Sequence, residues 1–137
     1  MWRFEHTETT SAAPERVWEQ YADPTSWPVW DHGTESVSVE GPLAVGVRGR
    51  IKPRGGPATS FVVTEVDPGR RFADVARLPL ARLEFDHRIE PYGTGARFTH
   101  SVTITGPLSP LFARVIGRGV AADLPGAMRE LARLAER

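Results

Sequence analysis

Four histidines are the residues of this 137-residue chain best suited to chemistry near neutral pH. The sequence has no cysteine, so thiol nucleophiles and cysteine-based zinc sites are excluded. His87 lies two residues from Phe85, and His100 lies two residues from both Phe98 and Val102. Because side chains of a strand alternate between its faces, each histidine shares a face with apolar neighbours. An imidazole in such surroundings can hydrogen-bond a ligand or act as a general base.

A short turn signal determines how these two histidines meet. If residues 93–94 (Gly-Thr) form a two-residue hairpin turn with glycine first, as a type II′ turn prefers, His87 pairs directly with His100. The same register brings the opposite charges of Glu90 and Arg97 together on the other face of the sheet. We therefore predict that the two histidines are cross-strand neighbours on an otherwise apolar face.

Two interpretations of the histidines remain open. In the first, they form a polar patch that binds a ligand carbonyl or hydroxyl. In the second, they are neutral rings that hydrogen-bond each other, the backbone or water. Catalysis by the histidines is a less favoured hypothesis than ligand contact. His6 and Glu8, on one face of the first strand, could join them, but strand-borne histidines without a diagnostic spacing do not indicate a metal site. We predict neither a metal nor a cofactor.

The elements that carry these residues are mostly β-strands. Proline and glycine separate segments in which apolar and polar residues alternate with period two, and the short connections predict an antiparallel, curved sheet. One short helix, residues 15–22, and an irregular helical turn within 23–30 follow the first strand. The predicted strands are residues 2–10, 34–40, 45–52, 58–66, 70–78, 81–90 and 96–105.

The C-terminal segment has a helical period instead. From Ser109 to Leu134, apolar side chains recur at three- and four-residue steps, and this stripe includes Leu124 and Met128. Pro125 is expected to kink the helix. A helix of about seven turns is long enough to cover the concave side of the sheet. This order of elements predicts an α+β fold in a single domain, residues 1–137.

The sequence also resembles a known family. The motifs Pro-Glu-Arg-Val-Trp at 14–18 and Trp-Pro-Val-Trp-Asp at 27–31, with the run at 99–108, are similar to the polyketide cyclase/dehydrase-like proteins. That family belongs to the helix-grip (SRPBCC) superfamily, with the START lipid-transfer domains and the major birch-pollen allergen. The resemblance implies a helix-grip fold, in which a curved sheet of about seven strands wraps a long C-terminal helix and a cavity lies between them.

The resemblance further implies that the cavity binds a hydrophobic or aromatic small molecule. The alternative function is a polyketide aromatase/cyclase or dehydratase that uses cavity histidines, although no catalytic residue set can be carried over. For each aromatic side chain, simple filling of the core is the competing interpretation. The expected ligand-binding residues are His87, His100, Phe85, Phe98, Val102, Trp30, His6, Leu124 and Met128.

Composition narrows the partners and the location. Seventeen basic residues balance seventeen acidic ones, so the net charge is zero and no nucleic-acid partner is expected. No apolar run approaches the ~18 residues of a membrane span, and the polar start does not resemble a signal peptide. We therefore expect a cytoplasmic protein without membrane insertion, either a monomer or a homodimer.

Overall fold

A computed structural model describes all 137 residues and contains one seven-stranded antiparallel sheet. In space the strands follow the order β1-β7-β6-β5-β4-β3-β2, so consecutive strands from β2 to β7 are neighbours and β1 pairs with β7. The strands are β1 (Trp2–Thr10), β2 (Thr34–Val39), β3 (Arg48–Pro53), β4 (Thr59–Asp67), β5 (Arg71–Leu78), β6 (Ala81–Tyr92) and β7 (Gly95–Thr105). This topology confirms the predicted sheet, with β3 beginning three residues later than the alternation predicts.

Two short helices connect β1 to β2. The first, α1 (Pro14–Ala22), begins with proline in its first turn, where the missing amide hydrogen is not needed. A single 3₁₀ turn (Pro24–Ser26) follows, and the Asp23 side chain caps it by accepting from the Thr25 amide. The second helix, α2 (Trp27–Trp30), is one turn long and buries both of its tryptophans.

The C-terminal helix is continuous but not uniform. It comprises α3 (Ser109–Phe112), a stretch with π-helical bonds (Ala113–Gly117) and α4 (Arg118–Glu136). The three- and four-residue spacing of the apolar residues does not predict the π-helical stretch. Pro125 lies inside α4 without ending it. Gly117 packs closely on β1, because a Cβ there would lie 3.0 Å from the Trp2 indole and would require that side chain to shift slightly. The long helix and the curved sheet together confirm the predicted α+β helix-grip architecture.

The β6–β7 hairpin has the predicted register. Gly93 has φ of 60°, a conformation that glycine adopts without strain, and Tyr92 pairs with Gly95. Pairing then continues along the hairpin, with His87 opposite His100. On the outer face the Arg97 guanidinium donates to the Glu90 carboxylate at 2.7 Å. The turn residues alone therefore predicted the alignment of the two histidines correctly.

The core lies between the inner face of the sheet and the helices. Along β1 the odd-numbered residues are exposed and the even-numbered residues point inward, as the alternation predicts. The long helix packs mainly beside β1, α1 and α2, at one side of the sheet. No helix of the protein combines the length and the apolar character needed to cross a bilayer.

Candidate functional site

The paired strands align their inward side chains in transverse rows. One row, which we call the histidine row, runs from β1 to β5 through His6, His100, His87 and Phe72, each opposite the next. The structure therefore brings together three of the predicted site residues on three adjacent strands. The placement follows from the register and from the parity of each strand.

The neighbouring row is almost entirely apolar. It runs from β1 to β4 through Phe4, Val102, Phe85, Asp74 and Val63, again with each residue opposite the next. We call it the aspartate row after its one polar member. Two of the predicted binding residues, Phe85 and Val102, lie in it.

Tyr21, on α1, covers the histidine row. Its hydroxyl lies 2.6 Å from Nε2 of His100, and its ring packs 5.4 Å from the ring of His87. Tyr21 is fully buried and His100 is 2% exposed. The histidines lie on the inner face of the sheet as predicted, but α1 covers them, and Tyr21 occupies one nitrogen of His100. The sequence shows only the helical spacing of Tyr21 with Val17, which gives no sign of this bond.

His87 is fixed by its own strand neighbour. Its Nδ1 lies 3.2 Å from the carbonyl oxygen of Phe72, and its ring stacks on that phenyl ring at 3.9 Å between centroids. Because a carbonyl can only accept, Nδ1 carries the proton and Nε2 is left as an acceptor. That Nε2 has no hydrogen-bond partner within the protein, and it is not among the fully covered polar atoms. It is therefore an acceptor that a ligand can use, and Nδ1 of His100 likewise has no partner within the protein.

Both buried histidines are neutral at pH 7. Burial lowers the pKa of His87 to about 4. Burial and the neighbouring His87 and His6 lower the pKa of His100 well below 6.5. The pKa of Tyr21 is raised well above 10, mainly by burial. The cluster is thus a set of neutral hydrogen-bonding groups in an apolar shell, which suits binding better than proton transfer.

The predicted binding residues separate into two groups by burial. Phe98, Val102 and Met128 are completely buried, and Trp30 is nearly so. Phe85, Leu124 and His6 remain partly exposed, and His6 lies 3.1 Å from Glu8 through Nε2. Phe98 and Trp30 therefore pack in a filled region around His100, whereas Phe85 and Leu124 keep accessible surface.

Asp74 is a candidate residue that the sequence analysis missed. It is 7% exposed, points to the inner face with Phe72, and forms no hydrogen bond or ion pair within the protein. Burial, with a smaller effect of the Glu84 carboxylate, raises its pKa to about 7. The predicted strand 70–78 already placed Asp74 on the same face as Phe72. The alternation of this strand therefore indicated that the Asp74 side chain points inward.

Burial changes along the inner stripe of the long helix. After Pro125 the inward residues Met128 and Leu131 are completely covered. Before it the inward residues pack against the core but remain partly exposed, namely Phe112, Ile116, Val120 and Leu124. The first half of the helix is therefore less tightly covered by the sheet than the second half.

Two solvent-facing concavities lie elsewhere on the molecule. One, of about 770 Å³, lies on the outer face of the sheet among paired charges such as Arg71 and Asp86. The other, of about 650 Å³, lies between α4 and the loop after α2, beside Trp30 and Asp123. Neither is lined by the two buried histidines or by Asp74. Nor do any three side chains of His, Cys, Asp or Glu converge as a metal site.

Comparison with known proteins agrees with this fold. Protein MLL2253 from Mesorhizobium loti superposes with a TM-score of 0.80 at 20% identity, covering 99% of this chain and 98% of that one. The di-domain ARO/CYC StfQ from the steffimycin biosynthetic pathway gives 0.77 at 18% identity, covering 98% and 50%. Norcoclaurine synthase from Thalictrum flavum, in complex with dopamine and hydroxybenzaldehyde, gives 0.72 at 15% identity, covering 97% and 85%.

At these identities the structural likenesses show the fold alone. None of the curated proteins matches the chain. A family model described as polyketide cyclase/dehydrase and lipid transport matches residues 1–136. Since this match spans nearly the whole sequence and the helix-grip fold agrees with it, the chain belongs to the polyketide cyclase/dehydrase and lipid transport family.

Proposed function

We propose that the protein binds a hydrophobic or aromatic small molecule between the sheet and the first half of the long helix. The observation that carries this proposal is the incomplete burial of the inner stripe before Pro125. Ile116, Val120 and Leu124 face the core yet keep accessible surface, whereas after Pro125 Met128 and Leu131 are completely covered and Leu134, in the last turn, is the one stripe residue that keeps accessible surface. Apolar side chains held inward but not covered are the usual lining of a ligand site.

The opposite wall of this space has the same character. On the sheet, Trp2, Phe4 and Phe85 point inward and are partly exposed. Aromatic walls favour planar, weakly polar ligands because such ligands gain both burial and ring stacking. Two structural relatives support this class, since their names record an aromatase/cyclase and a complex with two aromatic molecules.

A matched pair of substitutions on the long helix tests the proposal. The probe is N-phenyl-1-naphthylamine, an uncharged dye that fluoresces strongly in apolar surroundings. Val120→Trp places extra bulk in the proposed space and is expected to weaken dye binding at least tenfold. Val115→Trp is the control, because Val115 is 68% exposed on the same helix and is expected to leave binding unchanged.

Two results of the dye titration overturn the proposal. The site does not exist if the wild type fails to bind the dye, or if Val120→Trp and Val115→Trp bind it equally. Thermal unfolding of both variants shows whether each is folded. Mass spectrometry of small molecules released from the purified protein then identifies natural occupants.

A second candidate function is acid–base chemistry on a polyketide-like substrate, as in an aromatase/cyclase or dehydratase. The observation that favours it is the unpartnered Nε2 of His87, which is set as an acceptor by the bond from Nδ1. The test is exchange of the α-protons of a β-ketothioester in deuterated water, followed by NMR. A rate above buffer that disappears in His87→Phe supports this function, and no rate enhancement excludes it for that substrate class.

A further inference from the structure

Asp74 differs from Asp86, a mostly buried carboxyl group that arginines hold in ion pairs. Asp86, on the adjacent strand, accepts from Arg71 and from Arg88, each at 2.9 Å, and these guanidinium groups lower its pKa. Asp74 is more deeply buried and receives no hydrogen bond from any residue. The protein thus supplies two arginine partners to the Asp86 carboxylate, whose side chain is 13% exposed, and none to the more deeply buried Asp74.

A buried carboxyl without a partner weakens the fold. Its row neighbours Phe85 and Val63 are apolar, and desolvation disfavours its charged form. An apolar side chain at this position would cost the fold nothing in hydrogen bonding and would gain packing. No residue of the chain bonds the Asp74 carboxyl group, and its oxygens are not among the fully covered polar atoms, so they are accessible to a group from outside the chain.

The position of Asp74 fits a partner bound in the proposed space. It lies in the aspartate row directly beside Phe85, one of the partly exposed residues of the sheet wall. We propose that the Asp74 carboxyl group is the polar anchor of the bound small molecule and hydrogen-bonds a carbonyl oxygen on an otherwise apolar, aromatic skeleton. This inference rests on the proposed function and adds the chemical class of the ligand.

The surroundings favour a carbonyl over a cationic ligand group. Val63 of β4 and Phe85 of β6 lie directly opposite Asp74, and the neighbouring histidine row carries the neutral His87, against which the neutral Tyr21 packs. The inward stripe of the long helix is apolar, and the His6 and Glu8 side chains lie on β1, across two intervening strands. The Glu84 carboxylate, on the outer face of β6, opposes ionisation of Asp74 and raises its pKa. A neutral carboxylic acid in apolar surroundings donates its proton to an oxygen acceptor.

Two probes of nearly the same shape isolate this hydrogen bond. 2-Acetylnaphthalene carries the carbonyl and 2-ethylnaphthalene lacks it, and each is measured by displacement of the dye. At pH 5.5 the wild type is expected to prefer the acetyl probe roughly threefold to tenfold, the range of one hydrogen bond to a neutral donor. At pH 8.5 this preference is expected to vanish, because the ionised carboxylate no longer donates.

Three variants complete the test. Asp74→Asn keeps an N–H donor and is expected to prefer the acetyl probe at both pH values. Asp74→Leu is expected to bind both probes equally at both pH values. Asp67→Asn, which alters an exposed carboxyl on the neighbouring strand β4, is expected to behave as the wild type.

The outcomes separate this inference from the proposed function. If the wild type binds neither probe, the proposed function fails. If it binds both but shows no carbonyl preference, or if Asp74→Leu keeps the preference, the function stands and the anchor role of Asp74 is wrong. Should Asp74→Leu not fold, loss of the pH 8.5 preference in Asp74→Asn overturns the inference on its own.

Discussion

The hydroxyl of Tyr21 lies 2.6 Å from Nε2 of His100, and almost no solvent reaches either group. This bond joins α1 to the middle of β7 across 79 positions of the sequence. It satisfies one polar group from each element inside an apolar core, so neither can be removed without leaving the other unpaired. The pair thus fixes α1 over the histidine row.

Loss of the Tyr21 hydroxyl is expected to destabilise the protein. Tyr21→Phe leaves Nε2 of His100 buried without a partner and is expected to lower the free energy of unfolding by about 1–3 kcal/mol. Denaturant unfolding at pH 7 measures this change. The matched control is Tyr92→Phe at the only other tyrosine, which is 52% exposed and is expected to change stability little. Equal effects of the two substitutions contradict the assigned role of the bond.

Replacement of Phe98 and of Phe85 by alanine is expected to affect stability and dye binding differently. Phe98 is completely buried, so Phe98→Ala is expected to cost about 3–5 kcal/mol of stability. Phe85 keeps exposed surface, so Phe85→Ala is expected to cost clearly less and to weaken binding of N-phenyl-1-naphthylamine. Unfolding and dye titration of both variants provide the comparison. Similar stability losses, with unchanged dye binding in Phe85→Ala, indicate that the space around Phe85 is filled.

Acid is expected to weaken the fold through His87. Its pKa is about 4 in the folded protein, below the ordinary 6.5, so between these values the unfolded chain binds the additional proton. The contribution of the neutral His87 to the free energy of unfolding is complete above pH 6.5. It falls by about 3 kcal/mol in all as the pH decreases towards 4. Unfolding free energies of wild type and His87→Phe over this range test the prediction.

The control for His87 is His32→Gln, since His32 is exposed in the loop after α2. The pH dependence of this variant is expected to match the wild type. The free energy of unfolding of His87→Phe is expected to change less with pH on the acid side than that of the wild type. An unchanged slope in His87→Phe shows that the imidazole is hydrated in the folded protein.

The sequence allowed the fold and part of the site to be predicted, for local reasons. Strand alternation, turn residues and the helical stripe are patterns within a few residues of one another, and residues 93–94 alone determined the alignment of His87 with His100. The bond from Tyr21 was not predictable, because it depends on where α1 settles on a distant strand. Asp74 shares a face with Phe72 on a predicted strand. The sequence could not show that no arginine contacts Asp74, because the positions of the arginine side chains depend on the folded sheet as a whole.

Asp74 gives the fold a pH dependence of the opposite sign to that of His87. Its pKa is about 7 when folded and 3.8 ordinarily, so between these values the unfolded chain has lost a proton that the folded protein retains. Rising pH therefore favours unfolding across this window. The penalty is absent below pH 3.8 and complete above pH 7, where it reaches about 4 kcal/mol.

Asp74→Asn is expected to remove this penalty while keeping the shape of the side chain. The variant and the wild type are expected to be about equally stable at pH 4, and the variant is expected to gain steadily until pH 8. Urea unfolding at intervals between these values measures the difference, and Asp67→Asn, at an exposed carboxyl of β4, is the control expected to show no such gain. A stability difference between Asp74→Asn and wild type that does not change with pH means that the Asp74 carboxyl is solvated or paired in the folded protein, because only a desolvated acid without a partner resists ionisation up to neutral pH.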